Sequence, residues 1–194
     1  MPPPGVRTRF VRHLPALLLA ILLGGAAAPA PAQRLPAPEP GRGKGVGNLA
    51  YDLALKDLNG RSYKLRDLRG KRVVHVVFWA TWCFPCIQEI PTLKQIYAKY
   101  HERGLEILGV APNMDQTADG VAALVEELKV NYPVLWDADG TAMRTYRISY
   151  IPQNFLIGKD GIIRYAGTSL PSDYERLIEK LLQEGGGATA TSGR

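Results

Sequence analysis

The apolar and polar positions of the chain predict alternating strands and helices between residues 49 and 184. Strands are predicted where polarity alternates at every second residue or a short apolar run occurs, and helices where apolar residues recur every three or four positions. The predicted strands are 51–56, 61–65, 72–79, 105–111, 133–136, 154–157 and 162–166, and the predicted helices are 85–100, 120–129, a short turn at 141–146 and a last helix that ends near residue 182. Strands that alternate with helices at this spacing predict an α/β sandwich, in which helices flank a mixed central sheet.

Turn signals join two pairs of these strands into hairpins. The first pair flanks residues 57–60, which end in the dipeptide Asn59-Gly60 that favours a tight hairpin turn. The last two strands flank residues 159–161, which have the sequence Lys-Asp-Gly. We therefore expect an N-terminal β-hairpin and a second hairpin near the end of the domain.

The two ends of the chain lack the pattern of a packed domain. Residues 1–32 combine early arginines, a short apolar stretch and an Ala-Pro-Ala sequence at 30–32, which together are typical of an export signal. We predict a cleaved signal peptide, with an N-terminal membrane anchor as the alternative because the uncharged stretch approaches spanning length. Residues 33–48 predict a Pro/Gly-rich linker and residues 185–194 a disordered tail. The domain at 49–184 is then extracytoplasmic, in the bacterial periplasm or cell envelope.

The charge distribution argues against a nucleic-acid partner. The formal charge is +6 at pH 7, but residues 45–184 hold as many Asp and Glu as Lys and Arg, so the excess lies near the two ends. A basic run at 56–72 is interpreted as a solvated hairpin surface, with a binding patch as the alternative. No Gly-rich phosphate loop or RNA-binding aromatic motif accompanies it. We expect no nucleic acid among the partners.

The only two cysteines, Cys83 and Cys86, lie where the third predicted strand runs into a helix. A thiolate is stabilised at a helix start, and a cysteine one turn later is close enough to form a disulfide. A structural disulfide here would close a very short loop and so stabilise little. A zinc site needs about four ligands, and after signal removal only His75 and His101 could join the cysteines. The pair therefore predicts thiol–disulfide exchange, with no metal or other cofactor.

The motifs around this pair resemble the thioredoxin superfamily, specifically its extracytoplasmic TlpA/ResA-like branch. The resemblance covers about 49–184 and includes the run Phe-Trp-Ala-Thr-Trp-Cys-Phe-Pro-Cys at 78–86, Pro91, Ile151-Pro152 and the Lys-Asp-Gly turn. It implies a thioredoxin-like sandwich with an inserted helix and strand at residues 115–136. It also implies a kink in the first long helix at Pro91.

The resemblance assigns roles to the residues of the CxxC segment. Cys83 is the expected nucleophile and the more exposed sulfur, and Cys86 is the expected resolving thiol. Trp82 is expected to pack beside the site as a platform, with a plain core aromatic as the alternative. Phe84 and Pro85 occupy the two intervening positions, where they tune the reduction potential, and Phe84 is assigned to substrate binding.

Three further residues complete the expected site. Pro152 is expected to be cis and to hold the backbone of Ile151 open for pairing with a client peptide, whereas the alternative is an ordinary trans proline. The buried aspartate of cytoplasmic thioredoxins would fall at Val77, which cannot move protons. Glu89, three residues after Cys86 on the same helix face, is the hypothetical proton shuttle for that thiol, and a solvated surface glutamate is the alternative.

The function that the resemblance implies is reduction of specific client disulfides outside the cytoplasm. In the family such proteins receive electrons from a membrane partner and reduce apocytochrome c before haem attachment, or copper-centre assembly proteins. A disulfide-donating oxidase is the nearest alternative, because direction depends on potential and partners. A peroxiredoxin-like peroxidase and a copper-delivery protein are weaker alternatives. The first uses a different cysteine motif and the second a later histidine, whereas none follows His101.

Overall fold

The computed structural model describes residues 41–184 of the 194-residue chain. The predicted signal peptide or anchor at 1–32, the first part of the predicted linker and the predicted tail at 185–194 therefore lie outside the described residues. Within the part that is described, no helix is both long enough and apolar enough to cross a membrane.

A seven-stranded mixed sheet forms the centre of the domain. Its strands are β1 (Ala54–Asp57), β2 (Ser62–Lys64), β3 (Val73–Phe78), β4 (Leu105–Pro112), β5 (Val134–Asp137), β6 (Gln153–Ile157) and β7 (Ile163–Gly167), in the spatial order β2-β1-β5-β4-β3-β6-β7. The pairs β3–β4 and β4–β5 are parallel, whereas β1–β2, β1–β5, β3–β6 and β6–β7 are antiparallel. This arrangement confirms the predicted α/β class, the mixed sheet and both hairpins.

Five helices accompany the sheet in the described part of the chain. They are α1 (Leu65–Leu68), α2 (Phe84–Tyr100), α3 (Ala118–Glu127), α4 (Thr141–Thr145) and α5 (Tyr174–Glu184). The pattern of residues predicted all of them except α1, a single turn that directly follows β2. A helix of four residues is too short to show a 3.6-residue period, and the pattern therefore predicts its first residue, Leu65, as the end of a strand.

Strand β3 lies between two apolar layers. Val73 and Val77 pack into the layer that contains both cysteines, whereas Val74, Val76 and Phe78 pack into the opposite layer. Successive side chains of a strand point to opposite faces, and helices cover both faces here. The almost continuous apolar run of this strand follows from burial on both sides.

The register of the sheet brings three segments to one edge. Phe78, the last residue of β3, pairs with Val110 of β4 and with Gln153 of β6. The loop that leads to the cysteines, the loop that follows β4 and the residues that precede β6 therefore meet beyond the end of β3. The candidate site is built there.

Residues 41–49 contact the domain, although most of them belong to the predicted linker. The N–H of Gly47 donates to the carbonyl of Ile163 at 2.9 Å, and the N–H of Ile163 donates to the carbonyl of Asn48 at 2.9 Å. Lys44 donates to the carbonyl of Arg147 at 2.8 Å. Composition alone suggested a tether because Gly and Pro bury little surface, but backbone hydrogen bonds need no apolar side chain.

Candidate active site

A disulfide joins Cys83 and Cys86 at the beginning of helix α2, with a Cα–Cα distance of 5.3 Å. Cys83 is the N-cap residue, and its Sγ accepts a hydrogen bond from the backbone N–H of Cys86 at 3.3 Å. The first amides of a helix have no partner within the helix, so one of them is available to the sulfur. Pro85 has no N–H and removes another potential donor. The helix start thus directs one backbone dipole at Cys83.

Both cysteines are buried, which differs from the expectation that Cys83 is clearly the more exposed sulfur. Cys83 is 5% and Cys86 3% exposed. Exposure therefore separates the two sulfurs very little in the disulfide form. Position in the helix is the stronger distinction, because Cys83 caps the helix while Cys86 lies within its first turn.

The loop after strand β4 holds the segment that precedes the disulfide. Trp82 is 52% exposed, and its indole Nε1 donates to the carbonyl of Met114 at 2.8 Å. The N–H of Thr81 donates to Oε1 of Gln116 at 2.9 Å, and Nε2 of Gln116 donates to the carbonyl of Pro112 at 2.7 Å. The exposure of Trp82 does not fit the alternative of a core aromatic. Neither Met114 nor Gln116 was identified from the sequence, because they belong to no motif and act through a loop contact.

The residues before strand β6 lie at the same edge of the sheet. The Ile151–Pro152 peptide bond is cis, as the resemblance implied. Ile151 packs against the apolar cluster that contains Cys83 and Cys86, and Pro152 is buried. Tyr150, directly before them, is 76% exposed, and Phe84 between the cysteines is 71% exposed. Exposed apolar side chains thus lie on both segments that border the disulfide.

Glu89 points towards strand β6 and is partly buried. Its Oε2 accepts a hydrogen bond from Nδ2 of Asn154 at 3.1 Å, and its Oε1 accepts one from the N–H of Leu170 at 3.1 Å. Burial raises the pKa of the Glu89 carboxyl, and the hydrogen bonds from Asn154 and Leu170 oppose that rise. These surroundings differ from the alternative of a solvated surface glutamate.

A buried polar group lies behind Glu89. His75 in the middle of β3 is 1% exposed, and its Nε2 lies 2.8 Å from Oδ1 of Asn154. Its Nδ1 is hydrogen-bonded to the hydroxyl of Tyr174 on α5. Burial lowers the pKa of His75 to about 4, and the hydrogen bond with Asn154 opposes this shift. Sequence reasoning considered His75 only as a metal ligand, although a histidine within an apolar strand signals a buried polar contact.

No group of three or more His, Cys, Asp or Glu side chains within residues 41–184 could hold a metal ion. The chemical groups assembled at this edge of the sheet are a disulfide, a carboxyl and exposed aromatic rings. These groups are sufficient for thiol–disulfide exchange between the Cys83–Cys86 pair and a cysteine pair of another protein, and for the proton transfers that accompany it.

Comparisons with known proteins agree with this arrangement. The model of the AhpC/TSA family matches residues 46–166. The thiol-disulfide oxidoreductase ResA of Bacillus thuringiensis subspecies konkukian is 35% identical over 138 residues, which cover 70% of this chain and 78% of that protein.

Solved structures show the same fold. A candidate thiol:disulfide interchange protein DsbE from Chlorobium tepidum has a TM-score of 0.62 and 28% identity, and the match covers 73% of this chain and 97% of that one. A thiol:disulfide interchange protein of the thioredoxin family from Chlorobium tepidum TLS has a TM-score of 0.61 and 25% identity, covering 69% and 94%. The chain is thus a thiol-disulfide oxidoreductase with a thioredoxin-like fold, and it belongs to the AhpC/TSA family.

Proposed function

We propose that the protein reduces disulfides of client proteins outside the cytoplasm, with Cys83 as the attacking sulfur and Cys86 as the resolving sulfur. The observation that carries this assignment is the position of Cys83 at the N-cap of α2, where the N–H of Cys86 donates to its sulfur. That hydrogen bond and the helix dipole stabilise a thiolate on Cys83.

Two exchange steps transfer two electrons to the client. The Cys83 thiolate first attacks one sulfur of the client disulfide, which forms a mixed disulfide and releases the other client sulfur as a thiolate. Cys86 then loses its proton and attacks Cys83, which forms the Cys83–Cys86 disulfide and releases the second client thiolate. Protonation leaves the client as a dithiol, and an electron donor must return two electrons to the protein.

Glu89 is proposed to take the proton from Cys86 in the second step. It lies three residues after Cys86, so both occupy one face of α2. Its partial burial holds the carboxyl pKa above its ordinary value. A carboxylate with a raised pKa is a better proton acceptor than an exposed one, and it can return the proton when Cys86 leaves in the reverse reaction.

Glu89→Gln is expected to slow the resolving step by up to about 10²-fold near neutral pH, because an amide cannot accept the proton. The pH dependence that Glu89 contributes should also disappear. The test is a stopped-flow measurement between pH 5 and 9. It follows the decay of a mixed disulfide between Cys83 and a model thiol.

Glu102→Gln is the matched control, since the Glu102 side chain is 94% exposed and lies just beyond the far end of α2. It should behave like the wild type. Identical kinetics for the wild type and Glu89→Gln would remove Glu89 from the mechanism.

The client is proposed to bind across Ile151 and Pro152, with Phe84 and Trp82 beside it. An extended client peptide would pair with the backbone of Ile151 strand to strand. The exposed rings of Trp82, Phe84 and Tyr150 offer apolar contacts on either side. Large exposed apolar side chains near a reactive group are typical of an interaction surface.

The compartment and the partners are proposed from the N-terminal pattern and the family resemblance. An export signal at residues 1–32, cleaved or retained as an anchor, would place the domain in the bacterial periplasm or cell envelope. A membrane protein would supply the electrons. Apocytochrome c before haem attachment and copper-centre assembly proteins are the proposed clients.

The direction of electron flow is tested by equilibrium with glutathione. Among the described residues, only one amide, the N–H of Cys86, donates a hydrogen bond to Sγ of Cys83, and Pro85 has no N–H to donate. Limited stabilisation of the thiolate keeps the dithiol form reactive as an electron donor. We expect a reduction potential nearer to that of thioredoxin, about −270 mV, than to that of the strong oxidant DsbA, about −120 mV.

A potential near the oxidant value would instead support the disulfide-donating alternative. Consumption of hydrogen peroxide at a rate that exceeds the reduction of a protein disulfide would support a peroxidase.

A further inference from the structure

Four polar side chains form a continuous line of hydrogen bonds that ends beside the disulfide. Tyr174 on α5 contacts His75 on β3, His75 contacts Asn154 on β6, and Asn154 contacts Glu89 on α2. The line joins four different elements. His75 and Asn154 are almost fully buried, and Tyr174 is buried as well.

The chemistry of these groups sets the direction of each hydrogen bond. The Glu89 carboxylate can only accept, so Asn154 must donate to it through Nδ2. The other end of the amide, Oδ1, can then only accept, so Nε2 of His75 must carry a proton.

Neutral His75 has one N–H, and burial keeps the ring neutral by lowering its pKa to about 4. Its Nδ1 therefore accepts, and the hydroxyl of Tyr174 donates to it. Every donor in the line points towards Glu89.

We propose that His75 and Tyr174 are positioning residues for Glu89, because they hold the Asn154 amide with its N–H group facing the carboxylate. An amide that is free to rotate could present its oxygen to Glu89, and two oxygen acceptors without a proton between them repel each other. The Nε2–H of His75 prevents this rotation by engaging Oδ1. The inference deepens the role of Glu89 under the proposed function, yet the contacts that carry it are independent of that role.

Within residues 41–184, Leu170 is the only hydrogen-bond partner of Glu89 other than Asn154. The N–H of Leu170 donates to the second carboxylate oxygen but is a fixed backbone group. Tyr132, which precedes β5, and Tyr174 lie close enough for their charges to couple with Glu89. Burial holds the pKa of both phenols above its ordinary value, so neither is charged near neutral pH. On α2 itself, Cys86 is held in the disulfide and does not titrate.

The test is the titration of Glu89 in the oxidised protein, followed by carboxyl ¹³C NMR. His75→Leu removes the donor to Asn154, so the midpoint of Glu89 should rise by roughly one pH unit, the size expected for a weakened hydrogen bond to a charged group. His75→Gln can still donate to Asn154 and should restore most of the wild-type midpoint. Tyr174→Phe should raise the Glu89 midpoint less, because His75 is still present and loses only the hydroxyl that fixes its tautomer.

Tyr100→Phe is the matched control. It also removes the hydroxyl of a buried ring at the contact between α2 and α5, where that hydroxyl lies 2.7 Å from Oε1 of Glu175 and 2.8 Å from Oε1 of Glu179. Within residues 41–184, no hydrogen bond joins Tyr100 to Glu89. This variant should leave the Glu89 midpoint unchanged.

Imidazole ¹⁵N shifts of the wild type supply a second readout that needs no core substitution. We expect the neutral Nε2–H tautomer of His75 above pH 5. The signals of His101, the other histidine in the described part of the chain, are identified with the variant His101→Gln. An Nδ1–H tautomer, or equal Glu89 midpoints in the wild type, His75→Leu and Tyr174→Phe, would overturn the proposal. Because these measurements use no exchange reaction, they can succeed even if Glu89→Gln shows that Glu89 is not the proton acceptor.

Discussion

Replacing Cys83 with Ser is expected to abolish catalysed disulfide reduction, leaving only the background rate of the reductant in the assay. A serine hydroxyl at the N-cap can still accept the hydrogen bond from the N–H of Cys86, so the helix start should persist. It cannot form a thiolate near neutral pH, and the nucleophile is lost. The insulin-reduction rate measures this, and thermal melting under reducing conditions verifies that the fold is intact.

Replacing Cys86 with Ser should abolish turnover for a different reason. Cys83 can still attack a client, but no thiol remains to resolve the mixed disulfide. The variant should therefore accumulate covalent adducts, which non-reducing gels separate and mass spectrometry identifies. Adducts with apocytochrome c or copper-centre proteins would support the proposed clients.

The double variant Cys83→Ser, Cys86→Ser is the control and should trap nothing. Equal trapping by Cys83→Ser alone would reverse the assignment of the two sulfurs. A collection of unrelated adducts would indicate a general reductant.

The stability of the oxidised protein is expected to fall on acidification because of His75. Its pKa is about 4 in the folded protein and about 6.5 when the chain is unfolded. Between these values the unfolded state binds more protons than the folded state, so the free energy of unfolding increases with pH across this window. The stability that neutral His75 contributes at pH 7 is therefore lost as the pH falls. A shift of this size corresponds to about 3 kcal/mol between pH 7 and pH 4.

Urea denaturation of the wild type and His75→Gln at several pH values isolates this contribution. The difference in free energy of unfolding should change by about 3 kcal/mol in favour of the variant as the pH falls from 7 to 4. His101→Gln is the control, because the side chain of His101 is 33% exposed whereas His75 is 1% exposed. Parallel curves for the wild type and His75→Gln would contradict the prediction, because they would mean that the pKa of His75 is the same in the folded and the unfolded protein.

Local features account for what the sequence predicted well. The Asn59-Gly60 turn, the apolar run of β3 and the spacing of apolar residues in α2 each involve residues close together in the chain. The cysteine pair is also local, since a helix start alone gives its first sulfur an amide donor. Helix α1 was missed because one turn has no measurable period.

The surroundings of the site depend on contacts between distant parts of the chain. His75 and Tyr174 are 99 positions apart, His75 and Asn154 are 79 apart, and Glu89 and Asn154 are 65 apart. No periodicity links such residues, because only the sheet register and the packing of α5 bring them together. The contact of Trp82 with Met114, 32 positions away, has the same origin.

Short-range patterns and one motif are thus enough to predict the α/β class, the order of most elements and the two sulfurs of the CxxC segment. The packed fold, in contrast, shows that residues 41–49 are hydrogen-bonded to the domain and that Glu89 lies against Asn154 rather than in solvent. It also shows that His75 is part of a buried line of hydrogen bonds rather than a possible metal ligand. Burial and hydrogen-bond partners depend on how the elements pack, because packing brings together side chains that are far apart in the chain.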